Sequence, residues 1–194
     1  MTELCEIAYK YGTDKCPQLK HSYTPFYYEL LKDRRGSIKK VLEMGIGYER
    51  KSIHKEYLQR GASLYMWRDF FPNAQIYGAD INPETIFKDE RIETFLCDER
   101  KKGDLMELIK KTGSDIDLFI DDGHHHKRWQ ITMCRTIMPL LKKEIIYIIE
   151  DVRSPQEIKD ALSIYNCQVP EILKKYLDEG LIVVKNKEEI LTKI

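Results

Sequence analysis

The chain of 194 residues lacks an excess of either charge: 32 Lys and Arg stand against 32 Asp and Glu. That balance removes the sequence-wide electrostatic pull that nucleic acid or an anionic membrane surface would exert, so neither is expected as a partner. No run of about 18 apolar residues occurs, which argues against a membrane-spanning helix. Cysteine is sparse, odd in number and scattered (Cys5, Cys16, Cys97, Cys134, Cys167), with no CxxC pair. This excludes a disulfide framework or a thiol-ligated zinc site and fits free thiols in a reducing compartment. The start, Met1-Thr2-Glu3-Leu4-Cys5-Glu6, has neither a basic nor an apolar leader region, so a cytoplasmic location is expected. Low-complexity tracts, internal repeats and a Pro- or Gly-rich linker are also missing. What is present, 42% hydrophobic and 33% charged residues at a mean hydropathy of −0.49, suits a folded chain of one domain.

Apolar runs bounded by turn residues alternate with stretches of helical period. Strands are expected over 40–45, 75–80, 92–96, 116–121 and 144–150, with helices over 61–71, 104–111 and 127–138. Alternation at this spacing implies right-handed βαβ units, and hence a doubly wound, mostly parallel α/β sheet covered on both faces. After residue 154 the pattern changes. Helices are expected over 155–165 and 169–177, then a hairpin of strands 181–184 and 189–192 that finishes the sheet antiparallel. Residues 1–36 form a tyrosine-rich helical prefix and 37–194 the Rossmann-like core of a single domain.

Open parallel sheets bind ligands beyond the carboxyl ends of their strands, so each strand end is a candidate. The first ends in Glu43-Met44-Gly45-Ile46-Gly47, where glycines let a nucleotide-like ligand approach the backbone. The dinucleotide fingerprint wants a third glycine three residues on, and Arg50 stands there. Glu43 suits a ligand amine better than a pyrophosphate. Asp80 closes the second strand and suits ribose hydroxyls, or equally a helix cap before Pro83. Asp98 follows the third strand and suits an adenine amino group, or equally a solvated loop. Taken together these residues describe a site for a nucleoside with a positively charged amino-acid tail.

The fourth strand ends in Asp121-Asp122-Gly123-His124-His125-His126. Three adjacent imidazoles diverge too much to share one metal, but one histidine beside a carboxylate is a credible general base. The fifth strand ends in Glu150-Asp151. Asp122, Glu150 and Asp151 either converge as hard oxygen ligands for Mg²⁺ or Mn²⁺, or cap helices and pair with Arg128 or Arg153.

These segments resemble the sugar O-methyltransferases of macrolide and related natural products, a group of class I S-adenosylmethionine-dependent enzymes. The likeness lies in Tyr11-Gly12-Thr13-Asp14-Lys15, His21-Ser22-Tyr23-Thr24-Pro25, Leu42-Glu43-Met44-Gly45-Ile46-Gly47, Gly61-Ala62-Ser63-Leu64, Tyr77-Gly78-Ala79-Asp80, Asp121-Asp122-Gly123-x-His125 and Ile149-Glu150-Asp151. The resemblance implies a seven-stranded sheet with S-adenosylmethionine held by Glu43, Gly45, Gly47, Ser63, Asp80, Asp98 and Asp121. It also implies Mg²⁺ (or Mn²⁺) on Asp122, Glu150 and Asp151, with His125 as base and Asp122 assisting. His124 stands where the family usually has serine and competes for the base role. Lys15, His21, Tyr23 and His124 are substrate-side candidates. The acceptor implied is a sugar hydroxyl, such as that of a deoxyhexose on a small molecule or glycan. The short chain is compatible with a homo-oligomer or with one domain of a larger glycan-building polypeptide. Two other classes stay open: a nicotinamide-dependent oxidoreductase, and a non-catalytic nucleoside-binding module.

Overall fold

The apolar runs assemble into one sheet. The computed structural model of the protein describes residues 1–47, 60–173 and 179–187. In chain order the strands are β1 (Lys40–Met44), β2 (Gln75–Asp80), β3 (Lys88–Asp89), β4 (Ile92–Leu96), β5 (Leu118–Asp121), β6 (Ile146–Ile149), β7 (Asn166–Gln168) and β8 (Ile182–Lys185). Their order across the sheet is β3-β4-β2-β1-β5-β6-β8-β7. The run from β4 through β2, β1 and β5 to β6 is parallel throughout. β3 runs antiparallel to β4, and β8 lies antiparallel between β6 and β7.

Alternation along the central strands sorts side chains onto two faces. Val41, Leu118, Ile120, Ile146, Ile148 and Val183 point one way, against helices α1 (Glu3–Tyr11), α2 (Tyr23–Leu31) and α3 (Ala62–Phe70). Leu42, Met44, Phe119, Tyr147, Ile149, Ile182 and Val184 point the other way, against α4 (Lys102–Thr112), α5 (Lys127–Ile137) and α6 (Pro155–Ala161). Both faces are therefore buried, as the near-continuous apolar strands require. Chain order reverses between β1 and its neighbours β2 and β5, which puts the topological switch point at the end of β1.

The N-terminal prefix is tied down locally. The Thr2 side chain accepts from the Cys5 amide at the start of α1, and Gly12 ends it in the left-handed region at φ 74°. Among the described residues no helix is long and apolar enough to cross a membrane.

The C-terminal expectations need correction. Among the described residues the sheet has eight strands rather than seven, the two-residue β3 included. β8 pairs with β6 and with β7, so 166–168 supply an antiparallel partner where the sequence pattern predicts a loop between helices. Residues 189–192 lie outside the described residues. No helix forms over 169–173, and 174–177 also lie outside the described part. The physical reasons are local. β7 is three residues long with Cys167 alone buried, too short to show a period of two. Pro170 biases Val169 to an extended backbone, which favours continuing out of a strand over starting a helix.

Candidate active site at the strand ends

In-register pairing gathers the sequence candidates. Met44 lies opposite Asp121 across β1 and β5, and Asp121 opposite Ile149 across β5 and β6. The residues just beyond (Gly45, Asp122, Glu150 and Asp151) therefore share one edge of the sheet. The β1 turn crosses closely over the next loop. A Cβ on Gly45 would stand 2.0 Å from the Asp122 carbonyl oxygen, and the residue's φ is +83°. Only glycine fits there. Gly47 is exposed and its Cβ direction is open. The long polar stretch after it, 48–59, lies outside the described residues.

The core of the site is a linked set of carboxylates. His125 Nδ1 lies 3.1 Å from Asp151 Oδ2, and His125 Nε2 lies 3.4 Å from Asp122 Oδ1. One donor atom from each of Asp122, His125 and Asp151 falls within 4.8 Å of the others, spacing that suits a metal ion. Two carboxylates make this a predominantly hard donor set, fitting Mg²⁺ or Mn²⁺, with His125 supplying one nitrogen. Asp151 adopts φ +52°, a left-handed backbone rare outside glycine, which aims its side chain into the group. Glu150 is oriented differently. Its Oε2 accepts from Lys15 Nζ at 2.6 Å and its Oε1 from the Tyr27 hydroxyl at 2.5 Å. Hence the expected third acid adjoins the cluster while His125 takes its place within it.

The N-terminal prefix walls this site. Tyr23 donates its hydroxyl to Asp151 Oδ1, and His21 stacks flat on the Tyr23 ring at 4.9 Å. His21 is buried among Asp151, Asp14 and Glu179, each at 3.7–3.8 Å. Lys15, expected toward the substrate, points inward instead. It is 2% exposed, with Asp122 Oδ2 at 2.5 Å, Glu150 Oε2 at 2.6 Å and Glu43 Oε1 at 3.5 Å.

Electrostatics follow from that crowding. Burial would lower the Lys15 pKa, but Asp122, Glu150 and Glu43 outweigh it and hold the ammonium well above the ordinary lysine value. Burial pushes Glu150 well above the usual carboxylate range despite the facing Lys15. His125 is raised to about 9: burial opposes protonation, but the bond to Asp122 and the charges of Asp122 and Asp151 favour it. The imidazole is therefore protonated at neutral pH in this arrangement, and despite burial Lys15 and His125 together hold Asp122 below the ordinary carboxylate value.

The expected cofactor residues occupy the other half of the edge. Both oxygens of buried Glu43 are engaged, Oε1 by Ser63 Oγ at 2.7 Å and Oε2 by Trp67 Nε1 at 2.6 Å. Asp80 ends β2 nearly buried, accepting from the Asn82 amide at 2.8 Å, and burial raises its pKa. Asp98 is gripped by Arg100, whose Nε lies 2.8 Å away, and is held down to about 2 chiefly by that bond. Asp121 is buried and accepts from the Tyr147 hydroxyl at 3.2 Å; burial first, then the charge of Glu99, raises it well above the carboxylate range. His124 is exposed, its amide donating to Glu99 Oε1 at 2.6 Å and its ring lying edge-on to that of His126 at 6.3 Å.

Two contributors went unnoticed in the sequence. Tyr27 lies four residues after Tyr23, so both project from one face of α2, and that spacing was a usable signal. Glu99 braces the loop before His125: a Cβ on Gly123 would meet its carboxylate at 1.7 Å. Nothing in the sequence pattern marks it.

Comparison with known proteins bears on this geometry. No protein-family model matches the chain. Demethylmacrocin O-methyltransferase of Streptomyces fradiae is 35% identical over 151 residues, 77% of this chain and 36% of that protein. The tetracenomycin-C 3'-O-methyltransferase of Streptomyces olivaceus that acts on a 2-methoxy-α-L-rhamnosyl derivative is 33% identical over 151 residues, 77% of this chain and 37% of the relative. The chain is a homologue of the sugar O-methyltransferases. Among solved structures it resembles the mycinamycin-pathway methyltransferase MycE in complex with Mg, SAH and mycinamycin VI. There the TM-score is 0.76 at 25% identity, covering 100% of this chain and 57% of that one. The fold is that of the class I methyltransferases. The chain spans a little over a third of the length of the curated relatives it matches.

Proposed function

We propose that this chain carries an S-adenosylmethionine-dependent, divalent-metal-assisted O-methyltransferase activity on a sugar hydroxyl, acting as one domain in the cytoplasm. The observation that carries the reading is the convergence of Asp122, His125 and Asp151 at the switch-point edge, next to a β1 turn that glycine alone can make. Homology to sugar O-methyltransferases supports the reaction class, and the Mg and SAH named with the MycE structure support the two ligands. Five free cysteines are consistent with the compartment. The acceptor class is a glycosylated small molecule or glycan.

Asp122 and Asp151 would hold the metal with His125 beside them, and Glu150 stands next in line. Asp80 and Asp98 would receive the ribose and adenine, Glu43 and Ser63 would flank the amino-acid end, and the glycines of the β1 turn would admit the ligand to the backbone. When bound, S-adenosylmethionine supplies an electrophilic methyl group and the divalent ion acidifies a hydroxyl beside it. The chain's own residues do the rest. With a divalent ion offsetting the charge of the neighbouring acids the imidazole would be neutral, and His125 would then accept the hydroxyl proton at Nε2, the ring nitrogen with the longer contact, while Asp151 holds Nδ1. Tyr23, by donating to Asp151, fixes that carboxylate's direction. His21 and Tyr23 line the prefix side and exclude water from the transfer line. Alignment of oxygen, methyl carbon and sulfur supplies the remaining rate gain.

Calorimetric titration of S-adenosylmethionine, then of Mg²⁺ with and without EDTA, tests the reading, followed by mass-spectrometric detection of methylated rhamnosides. Micromolar cofactor binding with a metal heat lost in Asp122→Ala is expected. Cofactor binding with no metal heat would favour a non-catalytic nucleoside-binding module, and no cofactor binding would sink the methyltransferase reading.

A further inference from the structure

Lys15 is the one buried lysine among the described residues, and the transfer chemistry has no use for it. Its place is set by the backbone. Gly12 turns the chain back after α1, and the Lys15 carbonyl accepts from the Tyr23 and Thr24 amides, both at 3.1 Å. The side chain is thereby delivered between strand ends that lie more than a hundred residues away in sequence, at separations of 107 and 135.

What it meets there is unusual. Its ammonium touches one oxygen of Asp122 while the other oxygen of the same carboxylate faces His125. Asp122 is thus shared between a fixed positive charge and the candidate metal group. The same ammonium takes Oε2 of Glu150, whose other oxygen is taken by Tyr27, and stands 3.5 Å from Glu43. Four acids (Glu43, Asp122, Glu150 and Asp151) crowd this edge, and the Lys15 ammonium lies within 3.5 Å of three of them.

We propose that Lys15 is a built-in cation of the metal site, a positioning residue that holds Asp122, Glu150 and Glu43 together and whose fixed charge keeps divalent-ion affinity low. The inference rests on the reading that Asp122 and Asp151, beside His125, hold a divalent ion. Its physical content is a sign. A residue that merely braces the site weakens metal binding when it is removed. A like charge sharing a ligand with the ion strengthens binding when it is removed, because repulsion falls and Glu150 becomes free to join. The second effect dominates here, since the ammonium lies in direct contact with a candidate ligand.

The test measures Mn²⁺ affinity by electron paramagnetic resonance and Mg²⁺ affinity by calorimetry on the full chain, in wild type, Lys15→Met, Lys15→Arg and Asp151→Asn. Lys15→Met is expected to bind Mn²⁺ at least tenfold more tightly than wild type, and Lys15→Arg to stay within threefold. Equal or weaker binding by folded Lys15→Met overturns the proposal. Asp151→Asn separates this from failure of the underlying reading: if it binds Mn²⁺ as wild type does, the metal site itself is misassigned and both fall. Should Lys15→Met not fold, the wild-type ammonium decides by ¹⁵N NMR of lysine Nζ, where burial makes Lys15 the slowly exchanging signal. Mg²⁺ saturation is expected to shift that signal and Mn²⁺ to erase it; a signal that neither ion moves overturns the proposal.

Discussion

The two faces of the sheet bury similar numbers of apolar side chains and do opposite work. On the α4–α6 face, the buried polar groups are few and locally satisfied: Thr112 donates to the Leu108 carbonyl, Gln130 to the Glu150 carbonyl, and Asp121 accepts from Tyr147. On the α1–α3 face Lys15, Glu43, Ser63, Trp67, Tyr23, Tyr27, Glu150 and Asp151 form one polar web inside the packing. Burying ionised groups costs stability unless each is paired, so a protein has reason to confine them to one side. The contrast teaches that the α4–α6 face serves as scaffold, while the α1–α3 face is where packing has been traded for chemistry.

The largest effects should come from cutting the web at its functional centre. Asp122→Ala and His125→Ala are expected to lower methyl transfer by at least about a hundredfold, the usual range for a lost general base. Cofactor affinity should stay within threefold in both. Turnover assays paired with cofactor calorimetry check this, and undiminished turnover in both variants removes these residues from the mechanism.

The scaffold face offers the converse. Phe119 is fully buried and stacks on Tyr147 at 4.7 Å, so Phe119→Ala should cost about 3–5 kcal/mol in denaturant unfolding. It should leave the metal affinity of the folded protein unchanged. Tyr27→Phe should cost less, about 1–3 kcal/mol, because it removes one buried hydrogen bond without leaving a cavity. That milder change should nevertheless alter Mn²⁺ affinity, since it releases Glu150. If Phe119→Ala perturbs the metal site more than Tyr27→Phe does, the division between the faces is wrong.

Acidity sharpens the same comparison. His125 titrates near 9 in the metal-free cluster against 6.5 for an ordinary histidine. A raised folded-state pKa means its contribution is fully present below about 6.5 and fades as pH rises through about 9. Because the ring is 39% exposed, the amount should be below about 1 kcal/mol. Melting curves without metal should therefore fall more between pH 7 and 10 in wild type than in His125→Gln. Mg²⁺ should abolish the difference, because the ion's charge replaces the proton's role beside Asp122 and Asp151. A difference that persists unchanged in saturating Mg²⁺ would separate His125 from the metal group.

How much of this was legible in advance differs between the faces for a physical reason. The central strands announced themselves because burial on both sides forces near-continuous apolar runs, as in Leu118–Asp121 and Ile146–Ile149. The acids at their ends, Asp122 and Asp151, stood out because a carboxylate closing such a strand needs a partner, and the resemblance assigned them roles. The orientation of Glu150 toward Lys15 did not show, nor did Lys15's burial. Both depend on contacts across more than a hundred residues, about which local pattern is silent. β7 failed for the opposite reason: its three residues are too few to carry any period, and its pairing is decided by β8 arriving beside it.

The smallest expected effect lies at the cofactor half of the edge, where Arg100 grips Asp98 with its side chain and its amide. If Asp98 receives the adenine amino group, this grip competes with the ligand. Asp98 held down to about 2 is charged at any working pH, so what the arginine controls is direction and not ionisation. Arg100 is itself 44% exposed, so solvent screens the pair and it adds little to stability. Arg100→Ala should accordingly tighten S-adenosylhomocysteine by no more than about fivefold, with melting temperature nearly unchanged. Weaker binding would instead mean that Arg100 holds Asp98 in the ligand-ready direction, making the pair part of the site in place of a competitor for it.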